Sequence, residues 1–321
     1  MNCLPSWCFE ASFGFISLFG LSACTGIRRV EEVQLITKDV DNFWAAYALA
    51  VQDTEQAAAV FQKYYFARGT SGLQEYYQNR YQEQPLRFAR SIMRHPRFYA
   101  SAHRATMALA AQKLPILAAL HRLQTLYPPV SFNNIYFLVG GFRGSTAQRA
   151  GLLTGIACLL AGLEINTTEL TMVERRHRAP VTALPAMITH ELIHNTQQSA
   201  DGTLLSYAIR EGMADFIAEL VTGAPGTNAR LNPYGQAHEH ELWETFQREM
   251  LGKDAHNWLA NSEQETTVKP CDLGYYFGYK ICQVYYDQAL NKQQAVTVML
   301  TSQDFKALLE QSGYAAKWHT P

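Results

Sequence analysis

Apolar residues recur three and four positions apart along most of this 321-residue chain, the pattern of helices that bury one face. In residues 41–51, Phe43, Trp44, Tyr47 and Val51 share such a face. A second helix is expected behind Asp53-Thr54-Glu55-Gln56, a capping-box word, through Val60, Phe61, Tyr64 and Tyr65 to Gly69. The same texture runs over residues 72–127, with Pro96 and Pro115 at breaks or first turns, until Tyr127-Pro128-Pro129 stops it. The N-terminal third is therefore predicted to be helical with an aromatic core. His95, His103 and His121 belong to no metal-spaced pair and are assigned to core or surface.

From residue 131 the period shortens. Asn134-Ile135-Tyr136-Phe137-Leu138-Val139 is β-branched and aromatic and runs into Gly140-Gly141, so it predicts a strand and a loop that continues through residues 144–146. Residues 151–160 predict a second strand or a short buried segment. Helical spacing then returns in Met187, Ile188, Leu192 and Ile193, with Pro185 where a first turn tolerates it. It recurs in Leu204, Leu205, Ala208, Ile209, Phe216, Ile217 and Leu220, a helix closed by Gly223-Ala224-Pro225-Gly226. Leu242, Trp243, Phe246 and Met250 mark another, whose polar start is His238-Glu239-His240-Glu241. The last runs from Asp272 through Ile281, Val284, Tyr285 and Tyr286; its Gly274 and Gly278, four apart, let another helix approach closely. The expected class is α+β, predominantly helical, with a small sheet ahead of the helix at 185. Residues 37–130 form a helical part and 131–321 the remainder, expected to make one compact unit.

Composition narrows the class only a little. With 48% hydrophobic and 17% charged residues the chain is an ordinary globular one, and a net charge of −1 without a Lys/Arg run gives no footprint for nucleic acid. The first 23 residues differ in kind: residues 12–23 are apolar, too short to span a bilayer, and end in Leu21-Ser22-Ala23-Cys24, which resembles the bacterial lipobox. The expectation is a signal peptide over 1–23, a lipidated Cys24, a tether over 24–36 and a protein anchored to a membrane of the bacterial cell envelope, facing the periplasm or at the outer membrane. Residues 1–11 carry Glu10 and no Lys or Arg, against the positive opening of an export signal, so an N-terminal core helix is the alternative. Removing that segment takes Cys3 and Cys8 with it. Cys158, Cys271 and Cys282 are too few for a disulfide scaffold, and helical rise would hold Cys271 and Cys282 too far apart to bridge.

The candidate chemistry sits in His190-Glu191-Leu192-Ile193-His194. Four residues of helix turn the chain about 400°, so His190 and His194 share a face and can bind one zinc, with Glu191 beside it as general base. A catalytic zinc needs a third protein ligand and an open fourth position. Glu211, on the next helix, suits the third place, and Asp215, one turn on, can orient the imidazole of His190. Two amphipathic helices with polar faces of this composition are the plain alternative. A donor to a developing oxyanion is sought in Tyr275, Tyr276 and Tyr279, with Tyr279 the leading candidate, or in His238. In zinc proteases the strand before the metal helix pairs with extended substrate; residues 151–160 are the candidate for that edge, and a wholly buried strand is the alternative.

Together, His190-Glu191-Leu192-Ile193-His194, Glu211-Gly212-Met213-Ala214-Asp215-Phe216, Trp258-Leu259 and Asp272-Leu273-Gly274-Tyr275-Tyr276-Phe277-Gly278-Tyr279 resemble a bacterial family of predicted zinc-dependent proteases related to gliding-motility lipoprotein B. The resemblance covers residues 37–315 or so. It implies a gluzincin-like (zincin) metallopeptidase fold, and Glu211 and Asp215 match the E-x-x-x-D word of the wider gluzincins. Arg210 stands where the thermolysin-like enzymes carry Asn, so their substrate-binding details do not carry over. The expected function is zinc-dependent hydrolysis of peptide or protein substrates. The rival is a zinc-stabilised, non-catalytic surface lipoprotein serving in a motility or envelope assembly; an intact Glu191 favours the enzyme.

Overall fold

The computed structural model describes residues 26–142, 146–148, 150–156, 160–226 and 228–318. The expected signal peptide, Cys24 and Cys158 lie outside the described residues. The chain divides into two compact units: Ile27–Gln124 with Pro129–Asn195, and Thr125–Pro128 with Thr196–Pro321. The N-terminal helices and the sheet belong to one body because their side chains and strands close on each other.

In the first unit, the sheet has the order β1 (Leu35–Ile36), β2 (Ile135–Leu138), β4 (Gly151–Gly155), β3 (Thr146–Gln148). β1 and β4 run parallel to β2, pairing Leu35 with Ile135 and Leu152 with Ile135, whereas β3 runs antiparallel to β4. Two expectations are corrected here. Residues 27–36 are not a tether: Ile27 bridges Phe132 and β1 forms a sheet edge, in a segment too short to carry any periodicity. Residues 151–160 are not the sheet edge either. β4 ends at Gly155 and is paired on both sides, buried throughout, so the far edge is β3.

Helices Lys38–Ala50, Ala57–Tyr64, Ser71–Tyr81, Pro85–Met93 and Pro96–Ser101 pack their aromatic faces beside this sheet. Phe43 stacks on Phe61 at 5.7 Å, and Phe61 meets Phe88 edge-on at 5.0 Å, geometries that add to plain burial. Asp53 accepts from the Glu55 and Gln56 amides at 3.1 and 3.2 Å, but in the turn ahead of the helix: the N-cap is Gln56, without a side-chain cap, so the helix starts later than the capping-box word implied. The tyrosines do more than fill space. The Tyr65 hydroxyl donates to the Val139 carbonyl and accepts from its amide, both at 2.8 Å. Tyr81 accepts from the Gly141 amide at 2.6 Å, and Tyr99 lies 3.2 Å from both the Gly140 carbonyl and the Phe142 amide. Past the end of β2, phenols thus satisfy backbone groups that cannot be left bare in the interior.

The second unit is helical: Leu204–Thr222, Asn228–Ala237, Glu239–Glu249, Leu273–Gln288, Lys292–Thr301 and Phe305–Ser312. Thr203 starts the first of these by accepting from the Ser206 amide at 3.2 Å, and Gly223, at φ 71°, ends it. Its partner is Leu273–Gln288. A Cβ on Gly278 would collide with the Ala208 carbonyl, and one on Gly212 with the backbone of Gly278 and Tyr279, so the two helices cross with their main chains touching. Gly278 is the predicted close-approach residue. Gly274 instead faces the Leu259 side chain and the Trp258 carbonyl, to which its amide donates at 2.9 Å. Cys271 and Cys282 are both buried and free, and burial pushes both thiols up. Among the described residues, no helix is long and apolar enough to cross a membrane.

Candidate metal centre

The predicted helix over the His-Glu-Leu-Ile-His word spans Leu184–His194, with Pro185 in its first turn. Leu184, Ala186, Ile188, Leu192 and Ile193 are its buried side. Ile188 and Leu192 line one small cavity with Leu120, Phe132, Ile135 and Leu152, so this side of the helix faces the sheet. Inside it, the Thr189 hydroxyl donates to the Pro185 carbonyl at 2.8 Å and needs no partner elsewhere. That phase leaves His190, Glu191 and His194 half-buried on the opposite side.

The two histidines converge as the spacing predicts. Their Nε2 atoms lie 3.1 Å apart, with ring centroids at 4.8 Å and planes at 89°. Two neutral nitrogens can face each other at that distance only with a proton or a cation to share. Two nitrogens on one tetrahedral zinc, each at about 2.0–2.1 Å, stand about 3.3 Å apart, so the pair fits that ion. Glu191 leaves the helix about 100° away from His190 and does not compete for the same position.

The carboxylates lie on Leu204–Thr222, in the second unit. Glu211, Asp215 and Glu219 form one row at four-residue spacing, with Asp215 at 2% exposure and the other two half-buried. The facing helix answers with phenols. The Tyr275 hydroxyl sits at the Glu211 carboxylate, and the Tyr279 hydroxyl at Glu219. Burial first, and then the charge of Glu211, push the Tyr275 hydroxyl well above its usual pKa; burial and Glu219 do the same for Tyr279. Both stay protonated and can only donate to the carboxylates beside them. On the other flank, the Gln197 side-chain amide donates to the Arg210 carbonyl at 2.7 Å.

The remaining candidates have neighbours of their own. The ring of His238 lies against Tyr234 at 4.3 Å and its Nδ1 is 3.9 Å from Glu241 on the same helix. Glu239 is held by the Tyr314 hydroxyl at 2.6 Å and Lys317 at 2.9 Å, and His240 lies on Trp318 at 5.0 Å. The His-Glu word at 238–241 is therefore a helix start, not a second ligand cluster. Tyr276 faces Glu239. Sequence reading missed the brace beneath Tyr275. Asp272 takes a left-handed φ of 64°, its amide donating to the buried Asn261 side chain at 2.8 Å, while Cys271 and Arg230 engage Glu265 at 3.2 and 3.3 Å. Only Trp258-Leu259 and Asp272-Leu273-Gly274, already conspicuous as words, hinted at it.

All of these elements, from the helix of His190 to that of Tyr275, fall in one stretch of similarity. Residues 167–309 match the model of a family described as predicted Zn-dependent protease (DUF2268). The match covers somewhat less than half of the chain and contains His190, Glu191, His194, Glu211, Asp215 and Tyr275. The first helices of the chain lie outside it. No curated protein and no solved structure is detectably similar to the chain.

Proposed function

We propose that the chain is a zinc-dependent peptidase in which His190, His194 and Glu211 hold the metal, each offering one ligand atom from a half-buried side chain. The observation that carries this reading is the convergence of the two Nε2 atoms at 3.1 Å within a region matching a predicted Zn-dependent protease family. Zinc in such a set lowers the pKa of a water and polarises the scissile carbonyl. The chain's own residues supply the rest. Glu191 takes a proton from the attacking water and returns it to the leaving amine, work for which a carboxylate beside the ligand face is placed and a closed structural site has no use. Asp215, one turn beyond Glu211, orients the imidazole of His190. A gluzincin-like arrangement is the form of this reading, resting on the spacing of Glu211 and Asp215 after the paired histidines.

The test is graded. Glu191→Gln should keep stoichiometric zinc and lose cleavage of a peptide library, Glu211→Gln should lose most zinc, and Asp215→Asn should weaken zinc by about 10- to 100-fold without abolishing it. Hydrolysis surviving Glu191→Gln would end the mechanism with Glu191 as general base. Zinc bound without any cleavage by the parent chain would favour the non-catalytic lipoprotein instead. For location, we propose a lipid anchor at Cys24 on the strength of Leu21-Ser22-Ala23-Cys24. A Cys24→Ser chain that fractionates with membranes as the parent does would overturn it.

A further inference from the structure

We infer that Tyr275 is a positioning residue that holds the carboxylate of Glu211 in the orientation a metal ligand needs. The inference rests on the metal reading above and adds a residue to which that reading gave no such part.

Three features of the second unit carry it. The crossing of Leu204–Thr222 with Leu273–Gln288 is close, because Gly212 and Gly278 bring main chain against main chain. Glu211 directly precedes one of these glycines, and Tyr275 sits one turn before the other, so the close crossing also sets these two side chains against each other. The first turn of the tyrosine helix is itself braced: the Asn261 side chain takes the Asp272 amide at 2.8 Å and the Trp258 carbonyl takes the Gly274 amide at 2.9 Å. A left-handed φ of 64° at Asp272, unusual for a residue with a Cβ, is kept by that brace. The hydroxyl thus reaches Glu211 from a fixed point.

A carboxylate has two oxygens and several lone-pair directions, and a rotamer-rich glutamate left to itself spreads over them. A phenol donating to one oxygen leaves the other to face a cation, which is how outer partners tighten metal sites. Tyr279, four residues on, cannot replace it, since its hydroxyl is at Glu219, two turns beyond Glu211.

The experiment measures zinc and cobalt binding to the intact chain and to Tyr275→Phe and Tyr275→His, after confirming equal thermal melts without metal. Removing the hydroxyl should weaken zinc by about 10- to 100-fold and alter the visible absorption of the cobalt form, which reports ligand geometry. Tyr275→His keeps a ring donor and should fall between the two. Parental affinity and an unchanged cobalt spectrum in Tyr275→Phe would overturn the positioning role while the metal site stood. A parent chain that binds no zinc, or one whose zinc survives His190→Ala, would instead remove the metal reading and this inference with it.

Discussion

Removing one hydroxyl, in Tyr65→Phe, takes from Val139 the partners of both its amide and its carbonyl. Tyr65 and Val139 are fully buried, so water cannot take over without opening the core. Each bare group costs about 1–3 kcal/mol, and the urea midpoint of this variant should drop accordingly at an unchanged slope. A loss below about 0.5 kcal/mol would mean that the loop relaxes to find other partners. Residue-level identity was legible in the sequence for some groups and closed for others. His190 and His194 could be paired from spacing alone, because a helix turns four-residue separation into a shared face. The phenol clamp could not, since a hydroxyl meeting a backbone amide 74 positions away leaves no spacing to read. Tyr275 and Tyr279 illustrate the same limit. They are four apart on one face, equivalent by pattern, and only the crossing of their helix with Leu204–Thr222 decides which meets Glu211.

That crossing makes its own demand at the level of the elements. A methyl on Gly278 has backbone on its far side, the Ala208 carbonyl, which cannot swing away as a side chain would. Gly278→Ala should therefore cost at least the upper part of the about 1–3 kcal/mol typical of overpacking. Gly274→Ala should cost less, since its methyl would meet the Leu259 side chain at 2.7 Å, which a rotamer change moves, and backbone, the Trp258 carbonyl, only at 3.0 Å against 1.7 Å at Gly278. Denaturant midpoints of the two variants check the order; equal losses would mean that the helices part easily. The small-residue face was legible, and its two glycines proved to serve different neighbours. Helices were readable wherever apolar residues recurred over several turns, as in Lys38–Ala50 and Leu204–Thr222. The sheet was readable only at β2. β1 has two residues, and the place of β4 between β2 and β3 depends on long-range pairing that no local pattern encodes.

For the molecule as a whole, binding of zinc to the folded chain alone must raise its stability by mass action. Free zinc at about one hundred times its dissociation constant adds about 2.7 kcal/mol, and a chelator removes that gain. The expected melting curve therefore moves up with zinc and returns with chelator. Three variants separate the sources of the shift. His190→Ala removes a proposed ligand and should show none of it. Glu191→Gln keeps the proposed donor set and should show all of it while cleaving nothing, so stabilisation and the proposed hydrolysis would come apart in one chain. Cys271→Ser tests thiol binding, which would otherwise mimic the effect. Its thiol is buried between Glu265 and Asp272, burial holds it protonated, and the zinc-dependent shift should survive its loss. A shift of parental size in His190→Ala would place the stabilising zinc elsewhere in the chain, and one lost in Cys271→Ser would place it at the cysteine.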